Sequence, residues 1–341
     1  MLEYVNIDGT NLVSSRIALG TWAIGGWMWG GTDENESIRT IHAALDQGIN
    51  LIDTAPVYGY GRSEEIVGEA LRQRGRRENI ILATKVGLDW ANGKVERNST
   101  RQRILEEFED SLRRLQTDYI DIYQVHWPDP LVSIEETAAT LRELYEQGKI
   151  RAIGVSNYSP DEMARFQSVA PLHMIQPPYN LFEREIERDV LPYAVSHGIT
   201  MLTYGALCRG LLSGAMRIDR QFAKDDMRKT TDPKFQQPHF AEYVNAASKL
   251  DAFARENFGK RVIHLAVRWL LDQPGVGVAL WGARHPEQLA PIREVIGWSL
   301  GKSDSAAIGA ILRDNIRDPV GPEFMAPPAR ETTEPVTVSA G

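Results

Sequence analysis

The sequence has little cysteine and lacks long apolar runs. Cys208 is the single cysteine among 341 residues, so no intrachain disulfide can form, which fits a reducing compartment. No partner pattern for a nucleophile accompanies Cys208, and a small buried filler is its simplest interpretation. No uncharged stretch reaches the length of a membrane span, and the first residues have neither a basic region nor an apolar signal core. These absences predict a cytoplasmic globular protein.

The chain also lacks an excess of positive charge and several functional motifs. The formal net charge of −8 argues against a general binder of nucleic acid or of an anionic membrane. A Gly-x-Gly-x-x-Gly turn and a P-loop are absent, which disfavours a doubly wound nucleotide-binding fold. The patterns His-Glu-x-x-His and Gly-x-Ser-x-Gly are absent too, and we expect no metal site.

A repeated unit of helix, glycine and strand runs through the chain instead. An amphipathic helix ends at Gly48, Gly148 and Gly198, and a short apolar strand follows at once. Glycine takes the left-handed conformation of a helix cap at little cost. Apolar runs without alternation indicate strands covered on both faces, as in a parallel sheet. The predicted strands are Arg16–Gly20, Asn50–Thr54, Ile80–Lys85, Tyr119–His126, Arg151–Ser156, His173–Gln176, Thr200–Tyr204 and Val276–Trp281.

Eight such strands separated by helices predict an (α/β)8 TIM barrel. Residues 3–13 alternate around Asp8-Gly9, which predicts an N-terminal hairpin ahead of the barrel. We expect one domain over residues 1–317, with long loops over the C-terminal face. Residues 318–341 form a Pro-rich tail, and its last dozen residues are expected to be disordered.

The chemistry of a TIM barrel lies at the carboxyl ends of its strands, and most residues at those ends are polar here. They are Trp22, Asp53, Lys85, His126, Ser156, Asn157, Gln176, Tyr204, Gly282, Ala283 and Arg284. Taken singly, each has a plain structural role. Lys85 could extend to the rim, and His126 could be a satisfied core histidine. Taken together, they would place several proton-active groups in one mouth.

Tyr58 follows Asp53 by five residues, in a Gly-rich turn. A free phenol has a pKa of about 10, too high to exchange protons readily at neutral pH. A nearby lysine ammonium would lower that pKa, and we expect Asp53 to pair with Lys85 and hold it in place. With His126 donating a hydrogen bond to a substrate oxygen, the set would form a tyrosine general acid beside a polarised carbonyl.

Sequence motifs recur at the ends of the predicted strands. They are Asp-Thr-Ala-x-x-Tyr-Gly from Asp53, Ala83-Thr84-Lys85, Val125-His126-Trp127-Pro128 and Gly154-Val155-Ser156-Asn157-Tyr158. Together they resemble the aldo-keto reductase superfamily, over roughly residues 4–300. The resemblance implies an (α/β)8 barrel, NAD(P)(H) bound without a Rossmann domain, and a catalytic tetrad of Asp53, Tyr58, Lys85 and His126.

The resemblance also implies a cofactor site. Ser156, Asn157 and Gln176 would hold the nicotinamide carboxamide, and Tyr204 would stack on the ring. Arg284 would bind the 2′-phosphate of NADPH by charge-assisted hydrogen bonds, so NADP(H) is favoured, with NAD(H) as the alternative. Gln288 would approach adenine. The whole expected set is Gly20, Thr21, Trp22, Asp53, Ser156, Asn157, Gln176, Tyr204, Gly205, Leu207, Arg209, Gly210, Gly282, Arg284 and Gln288.

Beyond Tyr204 the sequence departs from the family's usual Ser-Pro-Leu. Gly205 removes a hydroxyl that could meet the cofactor's pyrophosphate, so either backbone amides do that work or the loop is looser. The insertion around Lys224–Phe235 resembles the loop that folds over bound cofactor in one branch of the family.

Aromatic residues near the strand ends indicate a narrow pocket for small aldehydes, with loop packing as the alternative explanation. They are Trp22, Trp27, Trp29, Tyr60, Trp90 and Trp127. The Gly- and Trp-rich loop after the first strand, Ala23–Gly31, is called the first loop here. This loop and Leu280-Trp281-Gly282-Ala283-Arg284 resemble a bacterial branch that handles glyceraldehyde, glycerol and related polyols. A small carbonyl or polyol is therefore the expected substrate. The sequence leaves open whether the protein is a monomer or a homo-oligomer. The same fold also serves as a cofactor-sensing subunit of potassium channels, which is the alternative function. The expected pocket residues are Trp22, Trp27, Trp29, Tyr58, Trp90, His126 and Trp127.

Overall fold

The computed structural model describes residues 2–75, 77–90 and 93–331. Its strands are β1 (Tyr4–Asn6), β2 (Val13–Ser15), β3 (Ile17–Gly20), β4 (Leu51–Asp53), β5 (Ile81–Val86), β6 (Leu88–Asp89), β7 (Glu96–Arg97), β8 (Ile120–Val125), β9 (Ile150–Ser156), β10 (Met174–Gln176), β11 (Thr200–Thr203) and β12 (Val276–Gly282). Its α-helices are α1 (Glu34–Asp46), α2 (Arg62–Arg74), α3 (Arg101–Leu115), α4 (Ile134–Glu146), α5 (Pro160–Gln167), α6 (Val190–Ser196), α7 (Met227–Thr230), α8 (His239–Phe258), α9 (Val262–Leu271) and α10 (Lys302–Asn315).

Eight strands close into a barrel in the order β3-β4-β5-β8-β9-β10-β11-β12. Every neighbouring pair in it is parallel. Consecutive strands lie side by side because each crossover helix returns the chain to the adjacent position. The predicted TIM barrel is confirmed, and each of the eight predicted strands overlaps an observed one.

The barrel encloses a packed interior. The expected hairpin is present as β1 and β2, which pair antiparallel. Ile7, in the loop between them, is fully buried and joins the interior. Side chains facing inward fill the space, so the lower end is closed and the strand ends at the upper face are left for chemistry. The side chains that fill the interior are those of Ala18, Leu51, Ile81, Ala83, Ile122, Ala152, Met174, Leu202, Val278 and Leu280.

Long segments cover the C-terminal face. The hairpin of β6 and β7 follows β5, and the insertion after β11 includes α7. The tail returns across the same face, where the Arg97 amide donates to the Pro328 carbonyl at 3.0 Å. Arg330 extends the contact with a 2.7 Å bond to Asp129. The expected disorder concerns residues 330–341, which lie almost entirely outside the described residues.

None of the helices within the described ranges is long and apolar enough to cross a membrane. The predicted extent of the domain, residues 1–317, stays a prediction.

Candidate active site

Asp53 and Lys85 meet at the upper end of the barrel. Asp53 ends β4 and Lys85 lies near the end of β5, so both side chains lie where the two strands stop. The Lys85 ammonium is fully buried and donates to Asp53 Oδ2 at 2.6 Å and to the Thr54 carbonyl at 2.9 Å. Burial lowers the pKa of Lys85, and Asp53 opposes that change. The carboxylate thus keeps a buried cation in place.

Two amides complete the surroundings of Asp53. Gln176 Nε2 donates to Asp53 Oδ1 at 2.9 Å, and Gln124 Nε2 donates to the same oxygen at 3.2 Å. Gln124 was missed by sequence reasoning, although an amide within the buried strand β8 is an available signal. With both oxygens occupied, the Asp53 carboxylate has one orientation.

Tyr58 lies above this pair, in the turn that follows β4. The Lys85 ammonium is 5.0 Å from the centre of the Tyr58 ring, and the Tyr58 and His126 rings are 5.8 Å apart. The turn rests on bare backbone: a Cβ atom at Gly25 would lie 2.6 Å from the Tyr58 carbonyl oxygen. Gly59, at φ +68°, would collide with Gly25 in the same way. Two glycines therefore set the height of the phenol above the lysine.

The protonation states suit acid catalysis. Burial raises the pKa of Tyr58 well above its usual value, and the Asp53 charge adds to the effect. This is opposite to the lowering by Lys85 that the sequence suggested, since Asp53 balances the ammonium and the phenolate is poorly solvated. Burial, with Lys85 second, lowers the pKa of His126 well below its usual value. At neutral pH Tyr58 is therefore protonated and His126 is neutral.

A cavity of about 340 Å³ opens above these groups. Five of the expected pocket residues line it, namely Trp22, Trp27, Tyr58, His126 and Trp127. Tyr60, one of the aromatics that the sequence placed near the strand ends, lines it as well, together with the expected cofactor residues Ser156, Asn157, Gln176 and Tyr204. Sequence reasoning missed the other lining residues because they come mainly from loops and the tail, which carry no periodic pattern. The missed lining residues are Met28, Val57, Leu88, Gly93, Val95, Met227, Thr231, Phe324, Met325, Pro327 and Pro328.

The other two expected pocket residues lie behind the lining. Trp29 meets Trp22 edge-on, with ring centres 5.4 Å apart, and the Arg228 guanidinium of the insertion lies 5.1 Å from the centre of the Trp29 ring. Trp90 packs against Tyr60 at 5.9 Å. Both tryptophans therefore support lining aromatics from outside the cavity.

The expected nicotinamide residues form a hydrogen-bonded strip on one side of the cavity. The Tyr204 hydroxyl donates to Asn157 Oδ1 at 3.0 Å, and the Ser156 hydroxyl donates to the Gln176 carbonyl at 2.7 Å. Asn157 also donates to the His126 carbonyl at 3.0 Å. The strip is thus tied to the strand end that carries His126.

Part of the insertion after β11 crosses the C-terminal face and contacts the first loop. We name this segment, residues 222–235, the belt. The Met227 amide donates to the Met28 carbonyl at 3.0 Å, which joins the two loops. Arg284 anchors below them by donating to the Trp29 carbonyl at 2.9 Å. Burial lowers the pKa of Arg284, and the positive charge of Arg228 in the belt adds to this. Two guanidinium groups therefore lie close together, and Arg228 was missed by sequence reasoning.

The Arg209 side chain is not available to bind the expected cofactor, because it belongs to a buried ionic cluster. Its guanidinium donates to Glu183 and to Asp232, each at 2.5 Å, and Lys234 lies 2.8 Å from Glu183. Burial would raise the pKa of Glu183, but Arg209 and Lys234 outweigh it and hold that pKa at about 2. A contact between Arg209 and the expected cofactor would therefore come from its backbone.

Most of the remaining residues expected at the cofactor would offer it backbone groups rather than side chains. Gly20 and Gly282 end adjacent strands, β3 and β12, and are paired in register. The Thr21 hydroxyl is committed to the Asp53 carbonyl at 2.9 Å. Gln288 accepts from the Arg284 amide at 2.7 Å, which places it beside the guanidinium pair. Gly205, Leu207 and Gly210 follow β11, in the loop that continues into the belt.

Comparison with known proteins agrees with this geometry. The sequence model of the Aldo/keto reductase family matches residues 16–313. The chain belongs to the aldo/keto reductase family. Members of that family are oxidoreductases that use nicotinamide cofactors. The amide and hydroxyl strip and the guanidinium pair of this aldo/keto reductase fit such a cofactor, because one binds a carboxamide and the other an anion.

Individual relatives are similar over nearly the whole aldo/keto reductase chain. Aldo-keto reductase YhdN from Bacillus subtilis is 62% identical over 97% of this chain and 99% of its own. The NADH-specific methylglyoxal reductase of Escherichia coli is 34% identical over 89% and 96%. Among solved structures, the glycerol dehydrogenase AKR11B4 from Gluconobacter oxydans superposes with a TM-score of 0.85 at 53% identity, over 95% and 99%.

Proposed function

We propose that the protein is an NADP(H)-dependent reductase that interconverts small aldehydes or ketones and their alcohols, with Tyr58 as the proton donor. The observation that carries the proposal is a protonated phenol at the floor of a cavity, above a buried Lys85–Asp53 pair and beside a neutral histidine. This set can give a proton to an oxygen and stabilise the anion left behind.

Each residue of the tetrad has a separate task. His126 donates a hydrogen bond that orients and polarises the substrate carbonyl. The reduced nicotinamide, when bound, supplies a hydride to the carbonyl carbon. Tyr58 gives its proton to the oxygen, and the Lys85 ammonium stabilises the resulting phenolate. Asp53 holds Lys85 in position. In the oxidation of an alcohol the same groups act in reverse.

The preference for NADP(H) rests on Arg284 and Arg228. Both are guanidinium groups, and such groups bind phosphate with short charge-assisted hydrogen bonds. Asp226 is ion-paired to Arg228 at 2.6 Å, so the two guanidinium groups and this carboxylate together leave a net charge of +1 for an anion. The NADH-specific relative keeps NAD(H) as the alternative, and measuring both cofactors decides between them.

The proposed substrates are small carbonyls and polyols such as glyceraldehyde and glycerol. Support comes from the glycerol dehydrogenase among the solved relatives and from the aromatic narrowing of the cavity by Trp22, Trp27 and Trp127. A substrate panel tests this. If bulky aromatic aldehydes exceed glyceraldehyde in kcat/KM, the assignment to small substrates is wrong.

The primary test is the consumption of NADPH and of NADH by the purified protein with DL-glyceraldehyde, followed by absorbance. We expect turnover with NADPH that is lost in Tyr58→Phe. Tight binding of NADPH without turnover on a broad carbonyl panel would contradict the proposal and favour the cofactor-sensing alternative.

A further inference from the structure

We propose that Glu64, which lies outside the tetrad, is a positioning residue that fixes the Tyr58 turn against the strand carrying Lys85. The inference rests on the proposed function for its meaning, but its geometry stands independently. Glu64 lies in the first turn of α2, directly after the Tyr58 turn, and its side chain is fully buried. A buried carboxylate requires strong partners, because burying it alone is very costly.

One partner is on the Lys85 strand. The Thr84 hydroxyl donates to Glu64 Oε1 at 2.6 Å. Side chains alternate across a strand, so Thr84 faces the helix layer while its neighbour Lys85 faces the cavity. The bond therefore joins the start of α2 to the backbone that aims the ammonium.

The residue before Glu64 ties the same helix turn to two more strand ends. The Ser63 amide donates to the Tyr58 carbonyl at 3.1 Å. The Ser63 hydroxyl accepts from Thr54 at 3.0 Å and donates to Thr21 Oγ1 at 2.8 Å. Together, Ser63 and Glu64 link the ends of β3, β4 and β5. We call this pair the staple.

The other partner of Glu64 supplies charge balance. Arg114 Nε on α3 lies 2.6 Å from Glu64 Oε2, and the same guanidinium pairs with Glu107. Arg103 pairs with Glu107 from the other side. The cluster thus contains two carboxylates and two guanidinium groups, and Glu64 is the member that contacts β5.

The Glu64 charge also acts on the tetrad. The charged and titratable groups that face Lys85 are Asp53 at the end of β4, Tyr58 in the turn, His126 after β8 and Glu64 on α2. Burial lowers the pKa of Lys85, while Asp53 and then Glu64 raise it. Glu64 therefore supports the protonated state of Lys85 from behind the strand.

The test compares Glu64→Gln with Glu107→Gln, which removes the same charge from the far side of Arg114. For Glu64→Gln we expect kcat to fall about tenfold, because small displacements of catalytic groups are costly, with the Kd for NADPH unchanged. The deprotonation midpoint of Lys85, followed by NMR of ¹³C-labelled lysine and assigned with Lys85→Met, should move to lower pH. Glu107→Gln should lose thermal stability without either change.

The outcomes distinguish a failure of the role inferred for Glu64 from a failure of the proposed function. Equal loss of kcat in both variants, with the Lys85 midpoint in place, would reduce Glu64 to a structural role and overturn the inference. If the parent protein shows no turnover, the proposed function fails, while the Lys85 titration still decides the inference. Should Glu64→Gln not fold, Thr84→Val supplies the decision: a fall in kcat at unchanged NADPH affinity supports the staple, and an unchanged kcat refutes it.

Discussion

The floor and the roof of the cavity are built in different ways. The floor consists of Asp53, Lys85 and Tyr58 on or beside adjacent strands, held by short hydrogen bonds in a closed barrel. The roof consists of the first loop, the belt and the tail, which are far apart in the sequence and meet through single bonds such as Met227 to Met28. The catalytic residues are therefore carried by the strands of the closed barrel. The cavity above them is enclosed by separate segments, whose residues can change without altering the barrel.

Removing the proton donor from the floor should have the largest effect. Tyr58→Phe keeps the ring and its contact with Trp22 but removes the acidic hydroxyl. We expect kcat for aldehyde reduction to fall about 10³-fold, within the usual range for general acid catalysis. NADPH affinity, measured by fluorescence quenching, should be unchanged.

A matched control for this variant is Tyr60→Phe. Tyr60 is in the same turn, lines the same cavity and is 46% exposed. We expect it to retain nearly full kcat. Comparable losses in both variants would contradict the assignment of Tyr58 as the acid.

A change in the backbone beneath Tyr58 should be the next most damaging. In Gly25→Ala the new Cβ atom collides with the Tyr58 carbonyl, so the turn must rise. We expect kcat to fall about 10²-fold, because a displacement near 1 Å can cost that much, and KM to change little. Gly309→Ala is the control, since a Cβ atom there would meet the flexible end of the Arg313 side chain; it should leave kcat as it was.

In the roof, the effect should depend on the cofactor. For Arg284→Gln we expect KM for NADPH to rise about 10- to 50-fold, since hydrogen bonds to charged groups contribute about 1.5–3 kcal/mol. KM for NADH should hardly change. Arg293→Gln, an exposed arginine in the following segment, should affect neither. Equal losses with both cofactors would show that Arg284 does not read the 2′-phosphate.

A smaller effect is expected where the tail is attached. Arg330→Gln removes the bonds to Asp129 and to the Arg97 carbonyl, and should loosen Pro327 and Pro328 at the cavity wall. We predict a rise of about threefold in KM for the aldehyde, in line with the modest net value of one partly exposed ion pair. Arg317→Gln, exposed just before the tail begins, is the control, and the KM for NADPH should be constant in both.

The smallest effect concerns pH. Because the pKa of His126 is well below 6.5 and that of Tyr58 is well above 10, neither group changes state between pH 6 and pH 8. His126 stays neutral above its pKa, and Tyr58 stays protonated below its own. We expect kcat/KM for reduction to vary less than about twofold across this range. A tenfold loss centred near pH 6.5 would show that His126 titrates there.

The contrast also explains what the sequence could predict. Strand periodicity located the barrel, and polar residues at strand ends such as Asp53, Lys85 and His126 pointed to the floor, because the topology of a parallel barrel brings those ends together. The direction of the Tyr58 pKa shift could not be read in this way, since it depends on how completely Asp53 balances Lys85 and on desolvation.

The roof offered no comparable signal. Phe324 and Met325 reach the cavity from a tail without periodic pattern, and Arg228 reaches Arg284 only because the belt crosses the first loop. Trp29 and Trp90 looked equivalent to the lining tryptophans in sequence, yet packing placed both of them behind the wall. Loop residues become neighbours through tertiary contacts that short-range patterns do not encode.

The buried Ile7 has one more consequence. With the hairpin loop and the packed interior sealing the lower end of the barrel, the tetrad lies at the bottom of a blind well. Whatever enters must leave by the same mouth, past the belt and the tail. Changes that loosen the roof would therefore speed departure as well as arrival, and a fast variant could arise far from the reacting atoms.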